Sequence, residues 1–145
     1  MNKIFVIEGT DGSGKQTQTK LVYERLIKDN KSVFKTSFPN YDNQSSGPVK
    51  EYLSGKISSN PNDISAKAAS CFYAVDRYIT YKKEMEEEYT SKDKVIVLDR
   101  YVASNIIHQG AKLIKAEGKA GLEEFINWLN KLEHEDFEIP KADIT

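Results

Sequence analysis

Two hydrophobic periods, one for strands and one for helices, take turns along this chain, and their order predicts its elements. Ile4, Phe5, Val6 and Ile7 form a continuous apolar run, the pattern of a parallel strand buried on both faces. Residues 15–30 then place Leu21, Val22, Leu26 and Ile27 at helical spacing opposite Lys, Glu and Arg, which predicts a first helix. Residues 32–38 are β-branched and aromatic and end at Pro39, so they predict a second strand and, with the first helix, a right-handed βαβ unit. After a polar, turn-rich loop over 39–47 comes a short helix from Gly47, closed at Gly55, and another loop over 56–62. Asp63 is expected to cap a long helix reaching about Glu88, with Ile64, Ala68, Phe72, Val75 and Ile79 on its apolar side. The acidic stretch KKEMEEEY at its end reads as a solvated face. Residues 94–98, KVIVL, predict a third buried strand, followed by helical segments over roughly 103–117 and 122–132, the second carrying Phe125, Ile126, Leu129 and Leu132. The last residues, ADIT, have the pattern of a fourth strand beginning.

Composition narrows the class. With 145 residues, 39% of them hydrophobic and 30% charged, the chain suits one globular domain with a real core. A formal net charge of -1 provides no global basic field, so neither a nucleic-acid partner nor a membrane surface is expected, and any phosphate binding must be local. One cysteine, Cys71, excludes an intramolecular disulfide framework and reads as a packed small residue. Neither a secretory leader nor a long apolar span is evident, which predicts a cytoplasmic protein.

The chemistry concentrates where strands meet loops. Between the first strand and first helix lies Gly9-Thr10-Asp11-Gly12-Ser13-Gly14-Lys15, with the spacing of a Walker A phosphate loop. Its glycines let backbone N–H groups turn inward around phosphate oxygens at a helix N-terminus, and Lys15 adds a point charge. The next position, where that motif carries the Mg²⁺-binding Ser or Thr, is Gln16, followed by Thr17. Asp99 ends the third strand, in the position of a Walker B acid. Asn130-Lys131-Leu132-Glu133 nearly mimics the guanine-reading NKxD box, but it lies in a helical pattern and ends in Glu, so it reads as surface. No DxxG follows the second or third strand, which argues further against a GTPase-like switch.

With the phosphate loop stand three more motifs: Ser37-Phe38-Pro39-Asn40-Tyr41, Phe72-Tyr73-Ala74-Val75-Asp76-Arg77 and Asp99-Arg100-Tyr101-Val102-Ala103-Ser104-Asn105. In this order and spacing the chain resembles the thymidylate kinases, P-loop nucleoside monophosphate kinases that phosphorylate dTMP. The resemblance implies a three-layer α/β fold with a parallel sheet wrapped by helices, five strands in the complete fold and about three here. It implies ATP-dependent conversion of dTMP to dTDP in deoxynucleotide biosynthesis, with Mg²⁺ as cofactor and a homodimer as assembly. Residues 9–17 would hold ATP, and Asp99 would position Mg²⁺. Arg100 would clamp the acceptor phosphate, and Asp11 would meet the sugar 3′-hydroxyl; with Lys15 these form the expected catalytic set. Tyr73 would stack on the pyrimidine, with Arg77 one helical turn on and Asn105 hydrogen-bonding the base, while Phe38, Tyr41 and His108 complete the dTMP side.

The chain also departs from the family pattern. Gln16 replaces the metal-binding hydroxyl, His108 stands where relatives often carry a tyrosine against the deoxyribose, and Tyr41 lies in a loop where some branches place an arginine. Gly12 stands where one branch keeps a catalytic arginine, so the chain resembles the bacterial-type branch whose arginine comes from the lid. The lid and last strands are expected after Thr145, and residues 1–145 alone are expected to bind nucleotide better than they transfer phosphate. The alternatives are another P-loop nucleoside or nucleotide kinase, or a catalytically silent nucleotide-binding module.

Overall fold

The computed structural model describes residues 3–145; Met1 and Asn2, which open the first stretch, lie outside the described residues. Three parallel strands, β1 (Lys3–Ile7), β2 (Ser32–Ser37) and β3 (Lys94–Asp99), form a sheet in the order β1-β3-β2. The first two strands are therefore not neighbours. β3 lies between them, pairing Ile4 with Ile96 on one side and Phe34 with Ile96 on the other. This explains the burial: Ile96, Val97 and Leu98 are fully enclosed, whereas β2, at an edge, has no buried residue. On β1 only Ile4 and Val6 are buried, so the expected burial on both faces holds for the central strand and not for the first. Beyond β1 the chain returns at its end: Phe5 bridges Ile144 in parallel, and the Val6 N–H donates to the Ile144 carbonyl at 2.9 Å. The start of a fourth strand is thus present.

Helix α1 (Lys15–Lys28) connects β1 to β2, and its Leu21 and Ile27 are about half exposed, at 51% and 47%. The short α2 (Gly47–Leu53) ends before Gly55, whose φ of +74° reverses the chain at low cost for a glycine. The long helix differs from expectation at both ends. Ser65, not Asp63, caps α3 (Ala66–Thr80) by accepting from the Ala68 N–H, while Asp63 sits in the preceding 3₁₀ turn and accepts from Ser58 and Asn60. At the other end a π-turn, Tyr81–Met85, separates α3 from α4 (Glu86–Thr90). That segment is no plain solvated face: Met85 is fully buried, and Glu84 accepts from the Asn40 and Asn43 amides.

The face that α3 buries is also reversed. Ala66, Ala69, Ser70, Ala74, Asp76, Arg77 and Thr80 point inward, while Ala68 and Val75 of the expected apolar side are exposed. The small residues allow close packing there, Asp76 and Thr80 hold the loop over 39–47 through Asn40 and Ser45, and Tyr73 and Arg77 form one wall of a cleft. Helix α5 (Val102–Asn130) forms another wall, and Gly118, with φ +71° and ψ −163°, breaks it where the two expected helices meet. Its second half, with Phe125 and Leu129, closes the core against Ile4, Ile96, Leu98 and Met85. A π-turn, Lys131–Asp136, then carries the chain back towards β1. Glu133 in that turn has no exposure at all, so the NKxD-like segment is not simply surface.

Candidate active site

At the C-terminal ends of β1 and β3 the sequence forces two sharp turns, and the site is built on them. In the first, Gly12 and Gly14 adopt φ +78° and +84°, a region where a side chain would strain the backbone. A Cβ at Gly9 would come within 2.6 Å of Ser13 Oγ, so this position needs glycine for close approach. Gly14 precedes α1 with no side-chain cap, leaving amide donors at the helix N-terminus open to an anion. In the second turn Arg100 takes φ +66°, rare for a long side chain. Its N–H donates to the Ile7 carbonyl at 3.0 Å, and Glu8 fixes the start of α5 by accepting from the Tyr101 N–H at 2.8 Å and the Ser104 hydroxyl at 2.5 Å. Strain of this kind persists only where neighbours over-determine it.

A cleft of about 520 Å³ opens between these turns and α3. It collects Asp11, Lys15, Gln16, Phe38, Tyr41, Tyr73, Arg77, Asp99, Arg100, Asn105 and His108, residues drawn from every candidate motif. Gly9, Thr10, Gly12, Ser13, Gly14 and Thr17 do not line it; they build the turn or the first helical turn beside it. Gln16 also faces a second, polar hollow near Lys20, Lys35 and Glu84.

The phosphate-loop end of the cleft is charged. Lys15 Nζ lies 3.3 Å from Asp99 Oδ1, close enough for attraction but not aligned as a hydrogen bond, so that buried oxygen keeps an unused acceptor. Arg100 donates through Nη2 to Asp11 Oδ1 at 2.6 Å, and its Nη1 lies 3.1 Å from His108 Nε2, which requires that nitrogen to be the acceptor. Asp11 is almost wholly exposed, and His108 is exposed rather than packed, so its ring meets the guanidinium edge instead of filling a wall. The Tyr41 loop is held from below. Buried Asp76 accepts from the Asn40 N–H at 2.8 Å and from the Ser45 hydroxyl at 2.5 Å. Tyr41 itself is half exposed, and its phenol is pushed up by partial burial against the opposing effect of Arg100.

The opposite end is enclosed. Tyr73 meets Tyr52 edge-on at a centroid distance of 6.3 Å, and burial, then Tyr52, pushes its phenol up to about 12, so it stays a neutral aromatic. Phe38 is buried against Tyr101 at 5.7 Å and contributes wall. Asn105 is anchored by donating to the Ser70 carbonyl at 3.2 Å, and its amide oxygen has no hydrogen bond among the described residues. Arg77 is buried and grips Glu133 through two hydrogen bonds of 2.6 and 2.5 Å, so the guanidinium expected at a base is already half committed. Cys71 is half-buried and burial pushes its thiol up, consistent with a packing role.

Four functional side chains escaped sequence reasoning. Glu8 and Asp76 hold the two loops, Glu133 holds Arg77, and Gln109, one helical turn after Asn105, lines the cleft with its buried Oε1 unpartnered. Only Asp76 left a signal, a carboxylate within an otherwise apolar helical stretch.

The unused oxygen of Asp99 fits a divalent cation or its bound water. Among the described residues no group of three or more His, Cys, Asp or Glu side chains gathers around a point, so the protein alone builds no cage. A single carboxylate oxygen suits an ion that keeps waters and takes phosphate oxygens, as Mg²⁺ does.

A family model described as thymidylate kinase matches residues 7–127. The thymidylate kinase of Halothermothrix orenii is 32% identical over 111 residues, 76% of this chain and 51% of that protein. The probable thymidylate kinase of Methanococcus maripaludis is 36% identical over 109 residues, 75% of this chain and 47% of that protein. That of Pyrobaculum aerophilum is 30% identical over 139 residues, 96% and 60% of the respective chains. The chain spans about half the length of the curated relatives it matches.

Proposed function

Because the chain belongs to the thymidylate kinase family, we propose that it transfers the γ-phosphate of ATP to the 5′-phosphate of dTMP. The observation that carries this reading is the division of one cleft into a cationic end beside a phosphate loop and an enclosed aromatic end with amide groups. A nucleoside monophosphate has the same two halves.

In this reading the loop amides and Lys15 hold the β- and γ-phosphates of ATP, and Lys15 leaves Asp99 for them. Mg²⁺ supplies charge neutralisation when bound, and Asp99 holds it directly or through water, with Gln16 beside it. Arg100, turned by its positive φ into the cleft, takes the acceptor phosphate, and Asp11 is then freed for the sugar hydroxyl. Tyr41 adds a hydroxyl on the same side. Tyr73 stacks on the pyrimidine, and Asn105 and Gln109 offer polar atoms to its edge. Little covalent chemistry falls to the protein in phosphoryl transfer, so these positioning and charge roles account for most of the catalysis. The chain is part of a single phosphate-loop kinase domain, acting in the cytoplasm. No helix among the described residues is long and apolar enough to cross a membrane. A homodimer is supported by the outward side of α3, where Val75 and Tyr78 are 37% and 38% exposed beside half-buried Phe72 and Ile79.

The test is a panel of nucleosides and nucleoside monophosphates offered with ATP and Mg²⁺. Phosphorylation of dTMP is expected to run well ahead of that of thymidine, since Arg100 needs a phosphate to hold. Equal use of thymidine and dTMP would overturn the monophosphate assignment.

A further inference from the structure

Arg77 and Glu133 are the most deeply buried ion pair among the described residues, 2% and 0% exposed, and they join two segments 56 residues apart. A pair so placed is a poor device for stability alone, because removing two charges from water costs about as much as their attraction returns. Its geometry is informative. Glu133 takes the Nε and Nη2 corners of the guanidinium and leaves the third corner, Nη1. That nitrogen makes no hydrogen bond within the described residues, yet it is not among the sealed, unpartnered atoms, and the little surface Arg77 exposes belongs to the cleft. Glu133 itself does not line the cleft.

The carboxylate is held independently of any ligand. It sits in the π-turn Lys131–Asp136, and the Glu133 carbonyl accepts from the Ile139 N–H at 3.0 Å. Two further bonds secure the segment after it: Tyr101 donates its hydroxyl to the Pro140 carbonyl at 2.9 Å, and His134 Nδ1 lies 2.9 Å from the Ile139 carbonyl. Burial works against the charge on Arg77 and the adjacent Glu133 restores it, so the arginine stays cationic.

We propose that Glu133 is a positioning residue for base recognition: by holding two corners of Arg77 and balancing its charge, it presents Nη1 as a fixed hydrogen-bond donor at the enclosed end of the cleft. This rests on the reading of that end as the pyrimidine site. A fixed donor can donate to a ring carbonyl, as in thymine, but leaves an exocyclic amine, as in cytosine, facing another N–H. Discrimination of that kind is strong when the mismatch leaves buried polar groups unpaired. Because the pair is neutral overall, the site offers direction without the excess charge that would draw phosphate to the wrong end.

The test measures the affinities of dTMP, dCMP and ATP for the wild-type chain, Glu133→Gln and Glu133→Asp. Glu133→Gln keeps the shape but loses the charge balance, and is expected to weaken dTMP about 10-fold or more and to bring the dTMP to dCMP ratio towards one, with ATP affinity unchanged. Glu133→Asp, which restores the carboxylate, should recover part of the ratio. Observation of the Arg77 side-chain nitrogens by NMR in the wild-type chain accompanies this and needs no variant to fold: dTMP should shift the Nη1 signal while Nε keeps its paired position. A ratio unchanged in folded Glu133→Gln, or Arg77 signals that ignore dTMP, would overturn the role of Glu133. A wild-type chain that binds ATP but neither monophosphate would instead overturn the functional reading on which it rests.

Discussion

The two ends of the cleft solve opposite problems. At the phosphate-loop end the charges are provisional: Arg100 rests on the exposed Asp11, a pair that a phosphate can replace at little cost, and Lys15 lies beside the largely buried Asp99 without an aligned bond. At the enclosed end the polar groups are fixed before any ligand arrives, with Arg77 held by Glu133 and Asn105 by Ser70. Phosphate is a strong, nearly spherical charge that needs attraction more than shape. A pyrimidine is weakly polar and flat, so telling it from its analogues requires donors and acceptors that do not move. Affinity and selectivity are therefore separable in this cleft, and substitutions at the two ends should fail in different ways.

The largest effect is expected at the phosphate-loop end. Lys15→Ala and Arg100→Ala should each lower phosphoryl transfer by about 10²–10³-fold, as removal of one aimed transition-state donor does elsewhere. Neither supports the hydrophobic core, so circular dichroism and thermal unfolding should be near wild type. If both variants are folded and fully active, the charged end is not where transfer occurs.

At the enclosed end the loss should appear in stability. Glu133→Ala leaves a buried guanidinium unpaired and should cost about 3–5 kcal/mol, read as a lower denaturant midpoint. Replacing both partners, Arg77→Met with Glu133→Leu, should return most of that stability while the dTMP preference stays lost. Should the single variant be as stable as wild type, the pair is not the strut described here.

Gln109→Met separates binding from stability within the enclosed end itself. The buried Oε1 has no partner, and an unmade hydrogen bond costs about 1–3 kcal/mol, so removing it should leave stability equal or slightly raised while dTMP affinity falls. A clear loss of stability would mean that Gln109 has a structural partner rather than a ligand to meet.

Gln16→Thr should have the mildest consequence, a modestly lower Mg²⁺ requirement in the transfer assay. The ion is expected to draw mainly on phosphate oxygens, water and Asp99. An activity that collapses in Gln16→Thr would make the amide itself a metal ligand.

The charged end was legible in the sequence because its residues are consecutive: Gly9 to Lys15 and Asp99-Arg100 are local words, and the strands before them are continuous apolar runs. The enclosed end was legible only in part. Tyr73 and Asn105 stand in motifs, but Glu133 reaches Arg77 from 56 residues away, and within its own helix it has the surroundings of a surface acid. The same tertiary override reversed α3. Phe72, Val75 and Ile79 form the apolar stripe that periodicity finds, yet the helix turns its small and polar residues inward, where Asp76 holds the loop over 39–47 and Arg77 meets Glu133. Strand order is likewise set by pairing between distant segments, so nothing in β1 or β2 announces that β3 will separate them.

A crystal structure of the chain with dTMP would put the division of labour to the decisive trial. The 5′-phosphate is predicted on Arg100, with its bond to Asp11 broken, and the base on Tyr73 with Arg77 and Glu133 still paired as they are here. A base bound with that pair opened, or a phosphate held at the enclosed end while Arg100 stays on Asp11, would contradict it.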